Sequence, residues 1–121
     1  MGTRELEATV RERDGAAVID LVGEVDASAD RPLSEAYEMA TGGRSGFVVL
    51  NFADTEYINS TGIALIVGLL ARARAQEVAV TACGLSDHYR EIFEITRLAD
   101  FMTIADSVYR AVRGAEGSSG A

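Results

Sequence analysis

The sequence predicts an α/β domain: a mixed, mostly parallel sheet of about five strands with four helices, in the order β-β-α-β-α-β-α-β-α. Three observations predict it. Two period-two segments near the start are joined by Asp14-Gly15, which reads as a hairpin. Two short apolar runs, 47–52 and 78–83, lack alternation and suit strands covered on both faces. Segments with helical spacing lie between the later strands, and a helical crossover implies parallel pairing.

The elements follow in chain order. Leu6, Ala8 and Val10 alternate with Glu5, Glu7, Thr9 and Arg11, giving a strand with one wet face. Asp14-Gly15 tolerates the positive φ of a tight turn, and 17–22 is the returning strand, closed by Gly23-Glu24-Val25-Asp26. Ser28 or Asp30 can cap the next helix, and Pro32 is tolerated in its first turn. Leu33, Ala36, Tyr37 and Ala40 form its inward stripe, and Gly42-Gly43 stops it. After the strand at 47–52, residues 53–59 read as a loop and 61–76 as a helix. Gly84 closes the strand at 78–83, and Ser86 can cap a helix whose Tyr89, Ile92, Phe93 and Thr96 share a face. A short strand at 101–104 precedes a last helix, opened by Asp106 or Ser107 with Val108 and Val112 inward. The domain is expected over 1–113, with 114–121 a flexible tail that has nothing to bury.

The length allows one domain with a single sizeable core. Eleven basic residues against 19 acidic ones give a net charge of −8. Such a surface disfavours nucleic acid and anionic membrane and suits a partner with a basic patch. A single cysteine, Cys83, cannot form an internal disulfide, and a single histidine, His88, cannot build a zinc cluster. No signal-peptide core or membrane-length apolar run is present in the sequence, so a cytoplasmic protein without cofactor is expected.

Neither GxxxxGK[ST] nor GxGxxG occurs, and Asn59-Ser60-Thr61-Gly62 is not the G-x-S-x-G elbow of hydrolases. A hydrolase would have to pair Ser60 with His88, which lies at a helix start and reads as a surface residue. Cys83 reads as a small buried hydrophobe. An enzyme is not expected. Ser60 supports two readings: a helix N-cap, or a phospho-acceptor whose phosphate would face the orphan amides and positive end of the helix dipole. Along the same helix, Ile63, Ile66, Val67 and Leu70 make one stripe, assigned to the core. Leu65 and Leu69 then fall nearer the opposite side, with Arg72 and Gln76. They are either covered by a neighbouring segment or form an apolar partner-binding patch adjoining Ser60.

The stretch 48–70, VVLNFADTEYINSTGIALIVGLL, resembles the STAS domain of bacterial anti-sigma factor antagonists (anti-anti-sigma factors): apolar strand, short loop, then Asp-Ser-[Ser/Thr]-Gly opening a helix. Gly23-Glu24-Val25-Asp26, Gly84-Leu85-Ser86, Ile92-Phe93 and Arg97-Leu98 extend the resemblance over residues 6–112. The resemblance implies the STAS fold, without catalytic or metal-binding residues. It implies an antagonist that binds an anti-sigma factor of the histidine-kinase-like ATPase type, is phosphorylated by it at Ser60 and so released, and is restored by a PP2C-type phosphatase. Asp26, Asn59, Thr61 and Gly62 would face the partner beside Ser60, with Asp26 also readable as a helix-entry cap. A scaffold-type STAS protein in a stress-signalling complex is the alternative. The chain departs from the family pattern at Asn59 and Asn51, where Asp is common.

Overall fold

The computed structural model describes residues 5–42 and 46–119. Its elements are β1 (Glu7–Arg13), β2 (Ala16–Val25), α1 (Asp30–Gly42), β3 (Phe47–Asn51), β4 (Thr55–Ile58), α2 (Ser60–Ala75), β5 (Ala79–Cys83), α3 (Asp87–Ile95), β6 (Thr103–Ala105) and α4 (Val108–Ser119). The sheet runs β1-β2-β3-β5-β6, with β1 antiparallel to β2 and the other pairs parallel. The expected hairpin is present: Asp14 and Gly15 have φ of 53° and 88°, the left-handed pair that a two-residue hairpin turn requires.

β2 reaches three residues further than the sequence pattern suggested, to Val25, because it serves two partners in succession. Residues 17–20 pair with β3 and residues 23–25 with β4, with a register shift between Gly23 and Glu24. β4 is the main departure from expectation, since 53–59 read as a loop. Its edge is held by the Thr55 hydroxyl donating to the Leu21 carbonyl (2.8 Å) and Gly23 N–H donating to the Asp54 carbonyl (3.2 Å).

The principal core lies between one sheet face and α1, α2 and α3. Ile19, Leu21, Leu50, Tyr37, Ile66 and Phe93 are fully buried there. α4 covers the other face through Ala111 and Val112, over Val18, Val49 and Cys83. Val48, Val49 and Leu50 are all buried, as a strand covered on both faces requires.

Helix α2 corrects the stripe read from its sequence. Leu69, placed by helical arithmetic on the side away from the core, is only 7 % exposed, and Leu65 is half-buried against the same core. Val67, assigned to the core, is 47 % exposed. The cause is α1, which lies along a second side of α2. Arg72 stacks over the Tyr37 ring at 4.8 Å and pairs with Glu38 at 3.3 Å, while the Tyr37 hydroxyl donates to Gln76 Oε1 at 2.7 Å. Leu65 and Leu69 therefore face α1 and do not form a free partner patch. The expected 114–121 tail overlaps α4, which runs to Ser119; residues 120–121 and Gly43 lie outside the described residues. No helix among the described residues is long and apolar enough to cross a membrane.

Candidate functional site

Asp26, Asn59, Ser60 and Thr61 meet at the carboxyl ends of β2 and β4. Asn59, not Ser60, is the cap of α2. Its side-chain Oδ1 accepts from Gly62 N–H (2.8 Å), its carbonyl accepts from Ile63 N–H (2.9 Å), and its own N–H donates to the Val25 carbonyl (3.2 Å). Asn and Ser cap about equally well, so composition alone did not separate positions 59 and 60. A residue whose side chain is not the cap is free for other use.

Ser60 occupies the first helical position, is exposed, and its hydroxyl makes no hydrogen bond among the described residues. Gly62 and Ile63 donate to Asn59, leaving the amides of Ser60 and Thr61 as the helix's two orphan donors. Both point with the dipole toward the space in front of the helix. Thr61 is exposed beside Ser60.

Gly62 is buried against the end of β2. A Cβ there would overlap the Val25 carbonyl oxygen and come within 2.8 Å of the Val25 carbonyl carbon. Only glycine lets the head of α2 lie this close to the end of β2. Asp26 follows directly and caps the 3-10 turn Ala27–Ala29, accepting from Ser28 N–H at 3.0 Å and Ser28 Oγ at 2.6 Å. That turn leads into α1, so Asp26 is a cap, and it is partly exposed.

Two braces hold the segment leading to Ser60. Ile58 N–H donates to the Tyr89 hydroxyl at 3.0 Å, tying β4 to α3; no feature of the sequence pointed to this bond. Behind the turn at 53–54, Asn51 donates to Asp20 Oδ1 (2.8 Å) and accepts from Ala53 N–H (3.1 Å). Asp20 also holds Arg11 through bonds of 2.6 and 3.2 Å. A carboxylate at position 51 would face that of Asp20, so the amide is the fitting side chain here. Desolvation raises the Asp20 pKa, but hydrogen bonds from Arg11 and Asn51 and the Arg11 charge outweigh it and hold the carboxyl below its ordinary value. Burial, reinforced by the Asp20 charge, pushes the Cys83 thiol up to about 11, so this residue is not a thiolate at neutral pH. His88 is exposed on α3 with its ring against Tyr89 at 5.0 Å, and no hydrogen bond joins it to Ser60 among the described residues. No group of side chains suited to hold a metal ion occurs among the described residues.

The family model of the STAS domain matches residues 7–111. The chain belongs to the STAS domain family. An anti-sigma-B factor antagonist of Listeria monocytogenes is 30 % identical over 96 residues, which span 78 % of this chain and 84 % of that protein. Among solved structures, an anti-sigma factor antagonist from Mycobacterium paratuberculosis superposes with a TM-score of 0.76 at 17 % identity, covering 91 % of this chain and 93 % of that one. The anti-sigma factor antagonist SpoIIAA in its unphosphorylated form gives 0.70 at 19 % identity, covering 91 % and 98 %. Its Bacillus structure in the phosphorylated form gives 0.68 at 21 %, covering 89 % and 98 %. At these identities the structural likeness establishes the STAS fold, and the fold positions the segment that carries Ser60.

Proposed function

We propose that this STAS protein is an anti-sigma factor antagonist whose unmodified form binds an anti-sigma factor of the ATPase serine-kinase type and is released when that partner phosphorylates Ser60. The observation that carries this reading is the state of Ser60: exposed, unbonded, at the first position of α2, with two unused amides behind it. A phosphate there brings a charge of about −1.5 to −2 to a helix N-terminus. Contact with the amides and dipole contributes ~0.3–1 kcal/mol, up to ~2 where partly buried, so modification leaves the fold intact. The change falls instead on the surface. A bulky dianion appears beside the Asp26 carboxylate and the exposed Thr61, in a protein already at −8. A partner seated on that surface loses contact and gains repulsion.

The transfer itself moves the terminal phosphoryl of the partner's ATP to Ser60 Oγ, with loss of the hydroxyl proton and release of ADP. Asn59 cannot accept that proton, and it is occupied as a cap. The base is then supplied by the partner, and this domain acts as substrate and ligand with no cofactor of its own. A PP2C-type phosphatase would return the serine. The names of the curated relatives support the antagonist role, and the fold shared with SpoIIAA in both phosphorylation states supports a modification that the domain tolerates. Incubation with the kinase and labelled ATP, followed by peptide mapping, should place phosphate on Ser60 and none on Ser60→Ala. Label retained at another residue in Ser60→Ala would reject Ser60 as the acceptor.

A further inference from the structure

β1 stands at one end of the strand order and pairs only with β2 among the described strands, so its outer edge is open. Arg13 and Ala16 flank the two-residue turn and therefore exchange both backbone hydrogen bonds. Alternation from that pair turns the backbone groups of Arg11, Thr9 and Glu7 toward β2. Those of Ala8, Val10 and Glu12 point outward, a template for another strand.

Charged side chains ordinarily keep such an edge from pairing, and here they leave one pairing open. Glu7, Glu12, Arg11 and Arg13 make β1 neutral in a chain of net charge −8. When two copies of β1 run antiparallel, the outward residues 8, 10 and 12 must fall opposite one another. Setting Val10 opposite Val10 achieves this with all seven residues of the strand: Ala8 meets Glu12, Thr9 meets Arg11, and Glu7 meets Arg13. Glu7 and Arg13 are exposed and make no ion pair among the described residues, so each finds its opposite charge only in the copy. Moving the centre one residue toward the hairpin sets Arg11 opposite Arg11. Moving it one residue the other way carries Glu12 and Arg13 past the end of the copy's strand, which starts at Glu7.

The α1 side of the edge supplies a second observation. Val10 is half-buried there, and Met39, 70 % exposed, lines a groove with Val10, Glu12 and Ala17. The same register brings the copy's Val10 against Val10 and its small Ala8 opposite Glu12, beside Met39.

We propose that β1 is a self-pairing edge: two copies of this chain join β1 to β1, antiparallel about a two-fold axis at Val10, and extend one sheet across both. The contact is isologous, with about six backbone hydrogen bonds and the Glu7–Arg13 pair made twice. It uses no residue of the Ser60 site, so it does not depend on the function proposed for that serine.

The test is sedimentation equilibrium of the full chain with two charge reversals, Glu7→Arg and Arg13→Glu. A small polar edge contact is weak, so the parent should pass from monomer to dimer between about 10 µM and 1 mM. Each reversal alone sets like charges opposite twice and should weaken the dimer about fivefold or more, with melting as in the parent. An equal mixture of the two variants restores Glu against Arg at both places and should dimerise within about twofold of the parent. In the parent, concentration should slow hydrogen exchange at Ala8, Val10 and Glu12, and leave Thr9 and Arg11, already bonded to β2, unchanged. A chain still monomeric at ~1 mM would overturn the proposal. So would a dimer indifferent to both reversals, a mixture no tighter than the single variants, or protection that appears away from β1.

Discussion

Substituting Gly62 tests the architecture that presents Ser60. The added methyl of Gly62→Ala has nowhere to go: it overlaps the Val25 carbonyl oxygen, and Val25 is itself held by pairing with β4 and by the Asn59 amide. Overpacking against backbone costs about 3 kcal/mol, and the better helix propensity of alanine returns about 1, leaving a net loss of about 2 kcal/mol. For a chain of this size that is a fall in melting temperature of about 8 °C. Gly68 lies on the same helix with nothing within 4 Å of its would-be Cβ. Gly68→Ala should therefore stabilise by about 0.5–1 kcal/mol, the opposite sign from the same chemical change. Thermal and urea unfolding of both variants measure this directly. Equal stability of Gly62→Ala and the parent would mean that α2 does not rest on the end of β2, and the placement of Ser60 would have to be redrawn.

Three further outcomes follow from the same structure. Asn59→Ala should lose about 1 kcal/mol by denaturant unfolding, whereas Asn59→Asp keeps the cap and should be near neutral at pH 7; a silent Asn59→Ala would remove Asn59 as the cap. Leu69→Ala should cost about 2–5 kcal/mol as a core truncation, while Val67→Ala on the exposed face should cost well under that; similar small losses would restore the free leucine patch. Asp20 has a depressed folded pKa, so its contribution is present above the unfolded value near 4 and is lost as pH falls through the folded value. Acid unfolding curves should accordingly show a shallower loss below pH ~4 for Asp20→Asn than for the parent, and an unchanged acid limb would show the Arg11–Asp20–Asn51 chain to be without weight.

The parts legible in the sequence are those set by a single neighbour. The run 47–52 read as a doubly covered strand because both faces are apolar, and β3 occupies 47–51 of it; Ser86 capped α3 as expected, accepting from Tyr89 N–H at 3.2 Å. The misread parts depend on two neighbours at once. α2 is flanked by the sheet and by α1, so its buried arc is wider than one stripe and takes in Leu69, while the side away from both leaves Val67 open. β4 was hidden because only Ile58 of its four residues is buried, which gives no alternation to read. At the site, the motif located the helix head correctly, yet the division of labour between Asn59 as cap and Ser60 as free hydroxyl needed coordinates. The Tyr89 brace joins residues 31 apart and leaves no local trace in the sequence.

The most direct test of the central claim is the affinity of the domain for its anti-sigma factor kinase, measured for the parent and for Ser60→Asp under identical conditions. Ser60→Asp should fold unchanged by circular dichroism, and its binding should be weakened about tenfold or more, since a buried or facing charge mismatch costs ~1.4 kcal/mol or more. Binding by Ser60→Asp as tight as the parent's would contradict that claim.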